Sequence, residues 1–131
     1  MTTLSSFDLD FKYGVTGENL VDELLTGGRT VEVKRDRRWA ETGNLYIEVE
    51  CYFTGSQSWK PSGLMVTEAA YWAFVLEQSV FIVPTKILKL VVEQFGKKIS
   101  CTIPPNESKG YLIKVEDLLA GNEIYRGVEN D

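Results

Sequence analysis

The sequence contains no histidine among its 131 residues, and it has only two cysteines. Without histidine the chain cannot use a Ser-His-Asp triad, a Cys-His pair or histidine-ligated zinc. Cys51 and Cys101 stand far apart and form no CxxC motif, which argues against a zinc cluster or a redox dithiol. Any acid–base chemistry must therefore use Asp, Glu, Lys or Tyr, and any metal must be a hard cation held by carboxylates.

The sequence also lacks a long apolar run and a linker rich in Pro, Gly or Ser. Its apolar stretches are interrupted by charge before the ~20 residues that a membrane span requires, and its first residues do not resemble a signal peptide. Hydrophobic residues make up 44% and charged residues 25%, as in ordinary globular proteins. We therefore expect a single cytoplasmic domain over residues 1–131, outside the membrane, with a flexible tail from about residue 121.

The charge distribution is uneven. The net charge of −5 argues against a protein that binds nucleic acid by bulk electrostatics alone. However, residues 34–38 place four cations and one anion in a short segment. A solvated hairpin tip is the simpler interpretation of this cluster, and contacts to phosphate groups are the alternative.

The first predicted helix runs from about residue 17 to residue 25, with Thr16 as its N-cap. Its apolar stripe comprises Leu20, Val21, Leu24 and Leu25. Glu18 lies three residues before Val21 and seven before Leu25, so the spacing predicts that it points toward the buried side. A buried carboxylate requires a partner, because burying an unpaired charge costs free energy.

Two alternating segments follow, residues 30–36 and 44–53, and each is predicted to be a strand with one apolar side. The apolar side of the first carries Val31 and Val33; that of the second carries Leu45, Ile47, Val49 and Cys51. Because residues 37–43 form a short polar loop, we expect an antiparallel hairpin. Simple register then places Glu32 opposite Glu48, a destabilising pair unless water, Lys34 or a divalent metal relieves the repulsion.

The remaining pattern predicts a turn at residues 59–63, a brief helical turn at 67–70, and strands at 71–76, 79–83, 99–103 and 111–115. A helix is expected between Pro84 and Gly96. The order of elements indicates a mixed α/β or α+β domain.

These residues resemble the PD-(D/E)XK, or restriction-endonuclease-like, nuclease superfamily, and small phage-type members in particular. The resemblance spans about residues 17–50: Glu18 matches the glutamate of the helix, Glu32 the acid of the first strand and Glu48 that of the next. Glu50 stands where the second motif usually has lysine, and the lysine comes early, at Lys34. Alternatively, Glu32 and Lys34 belong to the signature itself and Asp10 supplies the other acid.

The resemblance implies a restriction-endonuclease-like core, a mixed sheet flanked by helices, in which an N-terminal helix precedes an antiparallel hairpin. It implies a DNA endonuclease that depends on Mg²⁺ or Mn²⁺. The catalytic residues would be Glu18, Glu32, Lys34 and Glu48, of which the three glutamates would also be the metal ligands. Outer positions would be Glu50, Asp36 and Asp10, and contacts to the DNA backbone would come from Arg35, Arg37 and Arg38.

Two alternatives remain open at this point. A catalytically silent protein with the same fold would bind nucleic acid or protein, because fold does not imply function. In an unrelated protein, the same carboxylates would be ordinary surface groups. For the enzyme, a homodimer would suit a cut in both strands, and a phage-encoded enzyme would act in the host cytoplasm.

Overall fold

The computed structural model describes residues 4–26, 30–36, 38–102 and 106–130. Its helices are α1 (Leu4–Leu25), α2 (Trp39–Thr42), α3 (Thr85–Phe95) and α4 (Val115–Asn130), with a short 3-10 helix at Gly63–Met65. Its strands are β1 (Val31–Arg35), β2 (Asn44–Phe53), β3 (Ser58–Pro61), β4 (Tyr71–Leu76), β5 (Ser79–Pro84), β6 (Lys97–Cys101) and β7 (Ser108–Lys114). None of the described helices is both long and apolar enough to cross a membrane.

The strands form two sheets. Sheet A has the order β1-β4-β5, in which β1 is parallel and β5 antiparallel to β4. Sheet B is antiparallel and has the order β3-β2-β7-β6. The α+β class predicted from the sequence is therefore confirmed, with a mixed sheet and an antiparallel one.

The predicted hairpin between the first two strands is wrong, although both strands exist. β1 belongs to sheet A and pairs with β4, whereas β2 belongs to sheet B and pairs with β3 and β7. The segment between them is not a simple loop, because it contains α2, which ends at Gly43 with a left-handed φ of 72°. This short helix redirects the chain from one sheet into the other.

The core lies where β2 and β7 of sheet B, β4 and β5 of sheet A, and helices α3 and α4 meet. Helix α3 forms as the sequence predicts, because its apolar residues recur at helical spacing and Gly96 ends it. Its fully buried residues include Leu88 and Val91, which pack with Leu45 and Ile47 in the same cluster. The middle of β2 is thus part of the same buried core as helix α3.

The segment from residue 121, predicted to be a flexible tail, belongs to helix α4. Leu118 and Gly121 of this helix are buried, and α4 packs on α3. A Cβ atom at Gly121 would lie only 2.8 Å from a methyl carbon of Val91, so the glycine allows the two helices to approach closely. The polar sequence of this segment does not reveal that it packs against another helix, and this packing holds it in α4.

Helix α1 begins at Leu4, well before the predicted start at residue 17. It makes at most isolated contacts with the other described elements. Glu18 is exposed, as are Leu20, Val21 and Leu25. The prediction that Glu18 points toward a buried side is therefore wrong, because its side chain is exposed and α1 makes no more than isolated contacts with the other described elements.

A β-bulge interrupts β2. Glu48 is the partner of Gly110 and Glu50 is the partner of Lys109, so Val49 is an extra residue in the strand. The bulge reverses the alternation beyond it, and Cys51 comes to the same face as Glu48. The prediction that Cys51 shares the face of Leu45 and Ile47 is therefore wrong.

Two short predicted elements also differ. Residues 58–61, predicted as part of a turn, form β3 on the edge of sheet B, and Pro61 is at its end, where an edge strand tolerates it. The predicted helical turn at residues 67–70 is replaced by the earlier 3-10 turn at Gly63–Met65.

Candidate functional site

A cavity of about 610 Å³, here called the cleft, lies between the end of β1 and the face of sheet B that points away from the core. One wall includes Lys34, Arg35, Asp36, Arg38 and Phe74. The other includes Tyr46, Glu48, Ile99, Cys101, Ser108 and Leu112. Cationic side chains from sheet A thus face polar and acidic side chains from sheet B.

Lys34 enters the cleft because β1 turns its charged face inward. In the parallel register Glu32 lies beside Trp72 and Lys34 beside Phe74, both of which are buried. Val33 points the other way and is 64% exposed, so the prediction that its side of β1 is buried is wrong. The buried aromatic residues of β4 occupy the interior, and β1 as an edge strand only borders it.

The ammonium group of Lys34 has two neighbours. Its Nζ lies 3.1 Å from Oε1 of Glu32 and 5.3 Å from the centre of the Trp72 ring. Both side chains of the ion pair are about half-exposed, so the pair contributes little stability. A competing anion can therefore separate Lys34 from Glu32 at small cost.

Asp36 joins the two walls of the cleft. Its carboxylate accepts a hydrogen bond from the backbone N–H of Arg38 at 2.8 Å and one from the backbone N–H of Tyr46 at 3.2 Å. These bonds fix the end of β1 to the beginning of β2, and so link sheet A to sheet B. Arg35 and Arg38 are exposed on the same wall, whereas Arg37 lies outside the described residues.

The floor of the cleft on sheet B is built around Tyr46. Its hydroxyl oxygen lies 2.7 Å from the hydroxyl oxygen of Ser108, within hydrogen-bond distance. The ring packs over Gly110, where a Cβ atom would lie 2.8 Å from two ring carbons. Burial raises the pKa of the Tyr46 phenol above its ordinary value of 10.0, against the opposing effect of the Ser108 hydrogen bond. Tyr46 therefore stays neutral at physiological pH.

The structure brings together part of the predicted catalytic set. Lys34 and Glu48 line the same cleft, and Glu32 is joined to Lys34 by the ion pair. Glu32 and Glu48 are not neighbours on antiparallel strands, as the sequence predicts, because they lie in different sheets. The structure relates them only through Lys34, which is ion-paired with Glu32 and lines the cleft with Glu48.

The other predicted acids lie elsewhere. Glu18 is exposed on α1 and does not line the cleft. The bulge places Glu50 beside Lys109, on the face of sheet B away from Glu48. Asp10 lies in α1, in the part of that helix whose side chains the structure does not describe. Asp36 has both carboxylate oxygens engaged with backbone N–H groups, which suits a positioning role.

Within the described part of the chain, no three His, Cys, Asp or Glu side chains form a group that could hold a metal ion. Mg²⁺ is commonly held by only one or two carboxylates, with water and phosphate oxygens completing its shell. Glu48 lines the cleft and Glu32 is ion-paired with Lys34, so a site of this second kind would draw on these two carboxylates. Such a site would depend on a phosphate group of the substrate.

Sequence reasoning missed the contribution of the C-terminal half. Ser108 and Cys101 line the cleft because β7 and β6 pair beside β2, with Cys51, Ser108 and Cys101 in one row across the sheet. Tyr46 shares its alternating face with Glu48, so the local pattern could have indicated it. The partners on β6 and β7 depend on long-range register, for which the local pattern carries no signal.

No protein-family model matches the chain, and no curated protein or solved structure was found to be similar to it. The function must therefore be inferred from the chemistry of the cleft.

Proposed function

We propose that this protein is a metal-dependent DNA endonuclease with a restriction-endonuclease-like core, and that the cleft receives the scissile phosphodiester. The observation that carries the proposal is that Lys34 of sheet A and Glu48 of sheet B line one cavity. A lysine and a carboxylate facing the same space are the groups that phosphodiester hydrolysis requires on the two sides of a phosphate.

The charge of the cleft wall supports binding of a polyanion. Lys34, Arg35 and Arg38 lie together on a chain whose net charge is −5. Phosphate groups are attracted to this wall and repelled by the rest of the acidic surface. Binding should weaken with salt, because each neutralised phosphate releases counterions.

The metal is part of the proposal. Glu48 and Glu32 would hold Mg²⁺ or Mn²⁺ together with phosphate oxygens, and the bound ion would polarise the phosphate and lower the pKa of a coordinated water. Lys34 exchanges its ion pair with Glu32 for the phosphate only as negative charge develops there, so its charge stabilises the transition state. As part of the same proposal, the enzyme acts as a homodimer in the cytoplasm, since two copies suit a cut in both strands.

A second function is favoured by two observations. The described residues hold no three-ligand metal group, and Lys34 already neutralises Glu32. A protein that binds nucleic acid in the same cleft without cutting it would have these properties.

The test measures cleavage and binding separately. The purified protein is incubated with duplex, branched and single-stranded DNA in Mg²⁺, Mn²⁺ or EDTA, and binding is followed by fluorescence anisotropy. We expect cleavage with either metal and none in EDTA. Lys34→Ala should lower the single-turnover rate by about 100-fold or more while binding changes little, because the loss is confined to the transition state. Lys89→Ala, which removes an exposed cation of α3, is the control.

A second pair of substitutions tests the cationic wall. Arg35→Gln combined with Arg38→Gln should weaken binding and reduce the salt slope by about 0.9 for each phosphate that the variant no longer neutralises. Cleavage by Lys34→Ala at the wild-type rate would overturn the catalytic assignment. Binding without cleavage in every metal would instead favour the second function, and no binding at all would reject both.

A further inference from the structure

The hairpin formed by β2 and β3 extends the cleft face of sheet B beyond Glu48. Cys51 is the register partner of Ser108, which lines the cleft, and of Lys60 on β3. Phe53 lies two residues beyond Cys51 and therefore shares its face. Phe53 and Lys60 thus stand at the end of the hairpin, on the same side of the sheet as Tyr46 and Glu48.

These two side chains form a small aromatic and cationic surface. Phe53 is 41% exposed, and Nζ of Lys60 lies 5.5 Å from the centre of its ring. From Glu48 to Phe53 the strand extends by about 16 Å, at roughly 3.3 Å per residue. A DNA strand with one phosphate in the cleft can therefore reach Phe53 a few nucleotides further along.

The opposite face of the same hairpin is occupied by its own contacts. The Trp59 ring lies 5.6 Å from the Tyr52 ring, and Nζ of Lys109 is 4.3 Å from its centre. Trp59 is thus tied into a local cluster that faces away from the cleft. Phe53 lacks a described aromatic neighbour, and its single cationic contact is longer and made by an exposed lysine.

We propose that Phe53 and Lys60 form a binding subsite for an unpaired nucleotide of the DNA strand held in the cleft. Phe53 stacks on the base, and Lys60 contacts the adjacent phosphate. In a duplex each base is already stacked and paired, so a base could contact Phe53 only after it is extruded from the duplex, which costs free energy. The inference rests on the proposed function and specifies its substrate class as DNA with a single-stranded segment.

The experiment compares matched variants on the two faces of the hairpin. Affinity is measured by fluorescence anisotropy for a labelled single strand and for the duplex of the same sequence, at one salt concentration. Phe53→Leu should weaken single-strand binding by about 5-fold or more, because one stacked base contributes on that order. Phe53→Trp should bind the single strand as tightly as the wild-type protein, because it keeps an aromatic ring. Neither variant should change the affinity for the duplex. Lys60→Gln should weaken single-strand binding and, in a salt series, reduce its salt slope.

Trp59→Leu and Lys109→Gln are the matched controls, since they remove the same side-chain types from the other face. Thermal melting confirms that each variant is folded. If wild-type protein binds DNA but Phe53→Leu binds the single strand equally well, the subsite is refuted while the proposed function stands. An equal loss for duplex and single strand would also refute it. Absence of any DNA binding by the wild-type protein would refute both proposals together.

Discussion

The two sheets differ in how they use their faces. Sheet B buries one face in the core and presents the other to the cleft. Sheet A also buries its inner face, but its outer face carries exposed Val33, Val80 and Ile82. The difference shows that alternation of apolar residues does not by itself identify the buried face: β1 turns its charged residues inward, whereas β2 turns its apolar residues inward.

The comparison predicts its largest effect in the middle of β2. Ile47→Ala should lower the free energy of unfolding by about 2–5 kcal/mol, because it removes fully buried carbon atoms and leaves a cavity. Ile82→Ala, on the outer face of sheet A and 43% exposed, is the control and should cost much less. Urea unfolding of both variants measures the difference. Equal losses would mean that the outer face of sheet A is buried in solution, against the structure.

The next effect concerns the close approach of Tyr46 to Gly110. Gly110→Ala should destabilise the protein by about 1–3 kcal/mol, since its methyl group would collide with the ring and with the neighbouring strand. Gly55→Ala is the matched control, because a Cβ atom there would meet nothing within 4 Å. Thermal melting compares the two variants. A Gly110→Ala protein as stable as the control would show that the ring does not lie over this glycine.

An effect of similar size is expected where Asp36 links the two sheets. Asp36→Ala removes both hydrogen bonds to backbone N–H groups and should cost about 1–3 kcal/mol. Asp36→Asn retains one acceptor oxygen and should lose less. Chemical denaturation gives the stabilities, and hydrogen exchange at the amide of Tyr46 reports the bond directly. Unchanged exchange in Asp36→Ala would contradict the link.

The smallest effect at neutral pH is expected for Tyr46→Phe, which loses the hydrogen bond to Ser108 and about 0.5–1.5 kcal/mol. Because burial raises the pKa of the folded-state phenol above 10.0, its stabilisation is complete below pH 10 and is lost as pH rises through the folded-state pKa. Wild type should therefore lose more stability than Tyr46→Phe above pH 10. Denaturation curves at neutral and alkaline pH measure this, and parallel losses would contradict it.

Local patterns predicted the elements better than their pairing. The bounds of β2 and the end of α3 at Gly96 follow from alternation and from a helix-breaking glycine, which are properties of neighbouring residues. The pairing partner of β1 does not follow from the local pattern. Helix α2 separates β1 from β2, and β1 pairs with β4 instead. The local pattern does not predict the full length of α4 either, because this helix packs on α3, which is distant in the sequence.

The candidate site was predicted in part. Lys34 and Glu48 were identified from charge and alternation, and the structure places both in the cleft. Helical spacing alone predicts that Glu18 points inward, but spacing cannot show whether another element covers that face. The roles of these residues in catalysis stay predictions until cleavage is measured.

The bulge at Val49 makes one residue decide which surface the hairpin serves. If Val49 instead paired with Lys109, each later residue would shift one position along β7, and Cys51 and Phe53 would exchange sides with Glu50 and Tyr52. The aromatic residue next to the cleft would then be Tyr52 rather than Phe53. Because the bulge holds Val49 outside the ladder, gain or loss of that single residue changes the length of the strand and leaves Phe53 on the cleft face.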